Sequence, residues 1–408
     1  MALEIRIISS PTTDLELDTV MGSSVPQLDD LLRSFTERPD GLTGLAAIAV
    51  NKNGGIVYSG VSGKTSADAS RAAPLTLDHV HWLASQSKLL TAISAMQCVE
   101  RGQIGLDDPV GDILPELADP DILEGFDDRG EPKLRKATTK ITLKMLLTHS
   151  SGLAYTGTSP LIKQWCQRRG TASILTESIK NYTFPLIFEP GTSWVYGVGI
   201  DWAGHLVERL NNCTLGEYMT KNIFTPLGMN SSTFRPENHP EIESRLVDMS
   251  TRLPDGTMAY ADRVYGYPAE QDLGGVGLYS TPVDYIKVLA ALLQDGGALL
   301  KPESVDAIFK PQGEKVVGDA HNQWSHTASF AQSEVSFGLS VSIAVAPYPE
   351  KRAAGSVSWG GLPCLAWWVD RETGIAATVF QQTLPSGDSV AAKFMSQFEE
   401  VLYKHIRA

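Results

Sequence analysis

From Val25 to Arg38 the apolar residues Leu28, Leu31, Leu32 and Phe35 recur on one side, opposite Asp29, Asp30 and Arg33. That spacing predicts an amphipathic helix. The pattern then becomes strand-like. Leu45 to Val50 and Ile56 to Val61 flank Asn51-Lys52-Asn53-Gly54-Gly55, whose Asn and Gly residues accept the positive φ of a tight hairpin. Further strands are predicted near the other end of the chain, at Leu339 to Ala346, Ser356 to Trp359, Cys364 to Val369 and Ile375 to Phe380. Asp370-Arg371-Glu372-Thr373-Gly374 is the turn between the last two. Ser389 to His405 returns to helical spacing, with Phe394, Phe398, Val401 and Leu402 on one face.

Between these ends, from Pro74 to about Asp295, the pattern is mostly helical and is interrupted by Gly and Pro loops. Lys88 to Arg101, Thr142 to Thr148, Trp202 to Asn211 and Thr281 to Gln294 are the clearest segments. An antiparallel sheet drawn from both chain ends, flanked by helices, predicts an α+β fold with a mostly helical inserted lobe. We expect residues 1–110 and 275–408 to form an α/β sandwich lobe and residues 111–274 the insertion, as one catalytic unit with a cleft between the lobes.

Composition narrows the partners. The 408 residues are 42% hydrophobic, enough for a large core, and 47 acidic against 34 basic residues leave a net charge of −13. That field repels phosphate backbones and anionic lipid, so neither nucleic acid nor a membrane is an expected partner. Met1 to Pro11 carries Glu4 and only Ile5, Ile7 and Ile8 as an apolar group, which predicts no signal peptide. Cys98, Cys166, Cys213 and Cys364 lie far apart without a C-x-x-C pair, so neither a disulfide scaffold nor a zinc site is indicated. Reduced thiols in a soluble, cytoplasmic protein are the expectation.

Absences prune the chemistry. No serine has glycine at both −2 and +2, which argues against an α/β-hydrolase. Gly274-Gly275-Val276-Gly277 has the wrong spacing for a dinucleotide or phosphate loop. The eight histidines offer no H-E-x-x-H and no helical pair, and His79-Val80-His81 alternates like a strand, so no metal and no cofactor are called for. One nucleophile pattern survives, Ser85-Gln86-Ser87-Lys88 at the start of a long helix. Its three-residue offset puts Ser85 and Lys88 on one face, where helix-end N–H groups favour an oxyanion and a desolvated lysine could take the serine proton. An N-cap serine beside a solvated lysine is the plain alternative for this tetrapeptide alone.

Four more segments follow in order. They are Ile141-Thr142-Leu143-Lys144-Met145-Leu146-Leu147-Thr148-His149-Ser150-Ser151-Gly152-Leu153, then Glu189-Pro190-Gly191-Thr192-Ser193-Trp194-Val195-Tyr196-Gly197, then Gly274-Gly275 with Ser280-Thr281-Pro282-Val283-Asp284, and finally Ser358-Trp359-Gly360-Gly361-Leu362. Together with Ser85-x-x-Lys88 they resemble the serine β-lactamase-like superfamily, which includes class C β-lactamases, penicillin-binding D,D-peptidases and family VIII carboxylesterases. Within it, Leu83-Ala84-Ser85, Leu123-Glu124-Gly125-Phe126-Asp127-Asp128, Asp201-Trp202-Ala203-Gly204 and Trp367-Trp368-Val369-Asp370 look like the fungal acyltransferases that acylate a statin-like polyketide alcohol.

The resemblance implies Ser85 as nucleophile, with Lys88 and Tyr196 as its acid–base partners and their proton left unassigned between them. It also implies an oxyanion site from the Ser85 and Leu362 N–H groups, with Gly360 and Gly361 small enough for close approach; a simple bulge is the other reading of those glycines. Two departures argue against β-lactams: Val198 stands where β-lactamases carry Asn, and Trp359 replaces the K-T-G lysine, an aromatic suited to an apolar acyl or polyketide group. His149 reads as structural, with His and Ser satisfying backbone groups at a helix end, and Ser280 to Asp284 reads as an N-cap. The run Lys133, Arg135, Lys136, Lys140 and Lys144 is a candidate dock for an acidic acyl carrier protein, against a solvated loop. The expected activity is transfer of an acyl group from a carrier-protein or coenzyme-A-type thioester to a small-molecule alcohol; a carboxylesterase and a non-catalytic binding protein are the alternatives.

Overall fold

A computed structural model describes residues 24–170, 178–313, 315–327 and 333–408; the expectation for Met1 to Pro11 lies outside them. The central sheet has seven strands, in the spatial order Ile56–Gly63, Gly44–Asn51, Ile375–Phe380, Leu365–Asp370, Val357–Gly361, Ser342–Ala344 and Val335–Phe337. Every neighbouring pair is antiparallel, and the two chain ends meet in the middle, with Ala46 opposite Phe380 and Val50 opposite Ala376. The run predicted as one strand from Leu339 to Ala346 is split. Ser340 adopts a left-handed φ of 68°, so Gly338 to Val341 turns and Ser342–Ala344 folds back on Val335–Phe337, a strand not anticipated.

Gly44–Asn51 is buried along nearly its whole length because both faces of the sheet are covered. Leu45, Ala47 and Ala49 pack outward on Leu28, Leu32 and Phe35 of the Pro26–Thr36 helix and on Phe394, Phe398 and Leu402 of the Ser389–Arg407 helix. Phe35 and Phe394 meet edge to face at 5.4 Å, clamping the two terminal helices together. Ala46, Ile48 and Val50 point the other way, into the main core with Ile286 and Leu289 of the Pro282–Leu293 helix.

The Ser87–Glu100 helix runs through that core. Every side chain from Ser87 to Cys98 is buried, the polar Ser87, Lys88, Thr91, Ser94 and Gln97 included, so this stretch has no solvent-facing side, and the helix packs on the Gly199–Asn211 helix. The middle of the chain adds the Leu143–Leu147, Pro160–Arg168 and Leu215–Met219 helices. It also carries two hairpins that the helical pattern did not suggest, Asp121–Phe126 with Pro132–Lys136 and Met249–Arg252 with Met258–Ala261. The second hairpin extends into a three-stranded sheet through a parallel strand, Thr383–Leu384, from the C-terminal end. Among the described residues no helix is long and apolar enough to cross a membrane.

Candidate active site

Ser85 lies in a single 3-10 turn, Ala84–Gln86, and the α-helix begins two residues later at Ser87. Ala84 holds a left-handed φ of 47°, a strained conformation for a residue with a Cβ, and the chain bends sharply there. The three-residue offset nevertheless does what the spacing predicts: Lys88 Nζ donates to Ser85 Oγ at 3.3 Å. On the other side the Tyr196 hydroxyl donates to the same oxygen at 2.6 Å. The structure thus brings Ser85, Lys88 and Tyr196 together, with the Lys88 amine 4.9 Å from the centre of the Tyr196 ring.

Lys88 is almost completely buried. Its amine also donates to the Gly275 carbonyl at 2.8 Å and to the Tyr155 hydroxyl at 3.2 Å, which completes a full set of partners for an ammonium. Tyr155 was not singled out from the sequence; it follows the Thr148 to Leu153 segment by two residues and lies wholly buried against Tyr182 and Tyr196. Behind it is Asp201, also buried, which accepts from the Tyr155 hydroxyl at 3.2 Å and from the Gly275 N–H at 2.8 Å. Burial pushes the Asp201 carboxyl above its ordinary range, while the charge of Lys88 and the Gly275 N–H pull it back. Burial and the neighbouring Asp201 hold the Tyr155 phenol well above its ordinary value. In the sequence Asp201 stood out only as the first residue of Asp201-Trp202-Ala203-Gly204; the structure places it in the first turn of the Gly199–Asn211 helix.

Trp359, on strand Val357–Gly361, closes the other side. Its ring lies 5.4 Å from Tyr196 and 5.6 Å from Phe337, and it stacks on Trp324 at 6.2 Å with 19° between the planes. Trp324, in the Lys315–Thr327 helix, reaches Tyr196 as well, at 5.6 Å. Trp359 and Trp324 therefore both pack on Tyr196, the ring whose hydroxyl reaches Ser85 Oγ.

Residues 30–401 match the profile of the Beta-lactamase family. The chain belongs to the Beta-lactamase family. Monacolin J acid methylbutanoyltransferase of Aspergillus terreus is 36% identical over 82% of this chain and 84% of its own length. Lovastatin esterase of Penicillium rubens is 34% identical over 90% of this chain and 96% of its own. Among solved structures, a mutant simvastatin synthase from Aspergillus terreus superposes with a TM-score of 0.87 at 36% identity, covering 93% of this chain and 97% of that one. With such relatives, this Beta-lactamase-family chain is a serine enzyme of the acyltransferase and esterase type.

In this Beta-lactamase fold Val357–Gly361 pairs with Leu365–Asp370 in unbroken register, Gly360 opposite Ala366 and Gly361 opposite Leu365, so the two glycines do not form a bulge. Their smallness answers to packing. A Cβ on Gly361 would stand 2.5 Å from the Leu83 carbonyl oxygen, in the turn that carries Ser85, and one on Gly360 would meet the Leu365 carbonyl at 2.5 Å. Leu362, just past the strand, is half-buried against the core.

His149 departs from its expected surroundings. Thr148 Oγ1 does bond the Lys144 carbonyl, at 2.9 Å, but neither His149 ring nitrogen has a hydrogen-bond partner among the described residues. The ring instead packs on Trp194, Tyr196 and Phe337, and burial with the nearby Lys88 charge keeps it neutral, well below its ordinary pKa. Thr281 caps the Pro282–Leu293 helix by accepting from the Asp284 N–H, as its pattern predicted.

The basic run is largely matched by local acids: Arg135 by Glu124 and Glu189, Lys136 by Asp119 and Asp121, Lys144 by Asp107. Lys140 donates to the Ala118 carbonyl. Arg135, with the Thr139 and Thr138 N–H groups, brings the Glu189 carboxyl down to about 2 and ties the hairpin to the loop that leads to Tyr196. Among the described residues no group of three or more His, Cys, Asp or Glu side chains is arranged to hold a metal ion.

Proposed function

We propose that this chain transfers an acyl group through Ser85 from a thioester or ester donor to the hydroxyl of an apolar, polyketide-like acceptor. The observation that carries the proposal is the double hold on Ser85 Oγ, by Tyr196 at 2.6 Å and Lys88 at 3.3 Å, which leaves a base and an acid within reach of one oxygen. In the first half-reaction Ser85 Oγ gives its proton to that pair and bonds to the acyl carbon. The bond from that carbon to sulfur or oxygen then breaks, and the leaving thiol or alcohol takes the proton back. In the second half-reaction the acceptor hydroxyl repeats the sequence in reverse, and the acyl–Ser85 bond breaks. The developing oxyanion would lie between the Ser85 and Leu362 N–H groups, which the absence of side chains at Gly360 and Gly361 lets come close.

The aromatic lining from Trp359, Trp324 and Tyr196 supports an apolar acyl or acceptor group, as does the name of the methylbutanoyltransferase relative. A second reading, ester hydrolysis with water as acceptor, is favoured by the similarity to a lovastatin esterase. A carrier protein as donor gains no support from the basic run, whose charges are mostly spent on local acids. One experiment tests the proposal. The protein is incubated with an acyl thioester, a nitrophenyl ester and a chromogenic cephalosporin, and intact mass and products are followed with and without a polyketide alcohol. An acyl adduct that is lost in Ser85→Ala, with acylated alcohol formed ahead of free acid, is the expected result. No adduct or turnover from any donor overturns it in favour of a binding protein, and free acid alone makes the enzyme an esterase.

A further inference from the structure

Lys88 has three partners, and only one of them is the nucleophile. The other two, the Tyr155 hydroxyl and the Gly275 carbonyl, belong to groups held by a single carboxylate. Asp201 takes the Tyr155 hydroxyl hydrogen with one oxygen, at 3.2 Å, and the Gly275 N–H with the other, at 2.8 Å. Because the Tyr155 hydrogen is committed to Asp201, the phenol oxygen is left as an acceptor for Lys88 Nζ at 3.2 Å. Because the Gly275 N–H is anchored, the carbonyl of the same residue is aimed at Lys88 at 2.8 Å. The packing leaves no slack: a Cβ on Gly275 would stand 2.5 Å from the Asp201 carboxylate. No salt bridge joins Asp201 to Lys88 directly, so the carboxylate acts through these two bridges.

We propose that Asp201 is a positioning residue for acyl transfer, a buried two-pronged clamp that fixes Lys88 against Ser85 through Tyr155 and Gly275 and supplies the negative charge behind the lysine. The inference rests on the reading of Ser85 as the acylated residue. A carboxylate in so apolar a place is costly to bury unless it is fully bonded and countered by charge, and both conditions are met here. The charged and titratable groups facing it are Lys88 from the Ser87–Glu100 helix, Tyr155 from the loop after Leu147, and Tyr265 from the loop ahead of Gly274. Lys88 in turn faces Ser85, Tyr196 and His149.

The sign of the effect does not depend on which group is the base. Withdrawing a buried negative charge makes proton loss easier in whichever neighbouring group serves as base, so the limb of the kcat profile that reports the base moves to lower pH. Asp201→Asn keeps the shape and removes the charge. With nitrophenyl ester as the acyl donor, kcat is expected to fall roughly 10- to 100-fold with KM little changed, and the kcat profile to move about one unit to lower pH. Tyr155→Phe, which keeps the ring and removes one bridge, is expected to lower kcat without the full pH displacement. The double variant should lose much less than the product of the two single losses, because both act on one clamp.

A wild-type pH profile in Asp201→Asn overturns the proposal, as does a loss that merely tracks a lowered melting temperature. If Asp201→Asn does not fold, Tyr155→Phe decides: unchanged kcat overturns it. Wild-type protein that never acquires an acyl group sinks the functional reading and this inference together; normal wild-type acylation beside an indifferent Asp201→Asn sinks this inference alone.

Discussion

The Tyr196 hydroxyl donates to Ser85 Oγ at 2.6 Å from a ring that His149 holds edge to face at 4.9 Å. The ring's position is set by packing and its hydroxyl by chemistry, so the two can be separated by mutation. Tyr196→Phe leaves the ring among His149, Trp194 and Trp359. Its melting temperature should stay near wild type while the acylation rate with a nitrophenyl ester falls about 100- to 10,000-fold, the range supplied by a positioned proton donor or acceptor. Stopped-flow release of nitrophenol measures this, and a loss below about tenfold would assign Tyr196 to packing.

Trp359 offers a test of specificity. Its indole meets Tyr196, Trp324 and Phe337, and each aromatic contact of this kind contributes about 0.5 to 1.5 kcal/mol beyond area burial. An acyl chain that packs on the same indole would bury apolar surface there, worth roughly 1.5 kcal/mol, so Trp359→Ala should raise KM for a branched five-carbon acyl donor about tenfold and leave an acetyl donor nearly unaffected. Equal losses with both donors would place Trp359 outside the acyl subsite.

Gly361 couples the strand to the nucleophile. The atom that an alanine Cβ would strike at 2.5 Å is a backbone oxygen, Leu83 O, which cannot swing aside as a side-chain end can. Either the strand or the turn bearing Ser85 must shift. Gly361→Ala should cost at least about tenfold in kcat, since misplacement by a fraction of an ångström weakens both attack and oxyanion stabilisation. Circular dichroism and kcat together check it; full activity in a folded variant would show that the two elements are not held as closely as their contact implies.

The sequence carried the central sheet except for Val335–Phe337, because the other strands alternate or run apolar between clear turns, and it marked Ser85, Lys88 and Tyr196 as candidates because their motifs are local. What stayed hidden is non-local. Tyr155 and Asp201 are 46 residues apart and meet only when the Gly199–Asn211 helix packs on Leu143–Leu147 and the loop that follows it. No periodicity marks a buried carboxylate, and Asp201 stood out only as part of a run resembling one branch of the superfamily. The Asp121–Lys136 hairpin was missed for a different reason: Pro132–Lys136 is polar and mostly exposed, held by pairing and by ion pairs rather than by an apolar face. His149 was read as structural, but with the wrong partners: its motif resembles a helix end, while its ring turns away from the backbone there into the aromatic cluster.

That cluster makes the fold sensitive to acid. His321 is buried between Trp194 and Phe337, each 4.7 Å away, with Ser342 Oγ 3.1 Å from Nε2, and burial lowers its pKa from 6.5 to about 3. His81, fully buried against Phe380, is likewise lowered to about 3. A histidine whose folded pKa is depressed binds its proton more readily when unfolded. Its stabilising contribution is complete above pH 6.5 and is lost progressively as the pH falls toward 3. Each such group steepens the decline by up to about 1.4 kcal/mol per pH unit within that window. His321→Gln keeps a polar side chain near Ser342 and removes the titration. Its unfolding free energy from urea melts should fall less steeply than that of wild type between pH 6.5 and 4, with the two slopes alike above pH 7. Parallel slopes across the whole range would mean that His321 takes up its proton in the folded state, and that the wall formed by Trp194, Trp324 and Trp359 admits water.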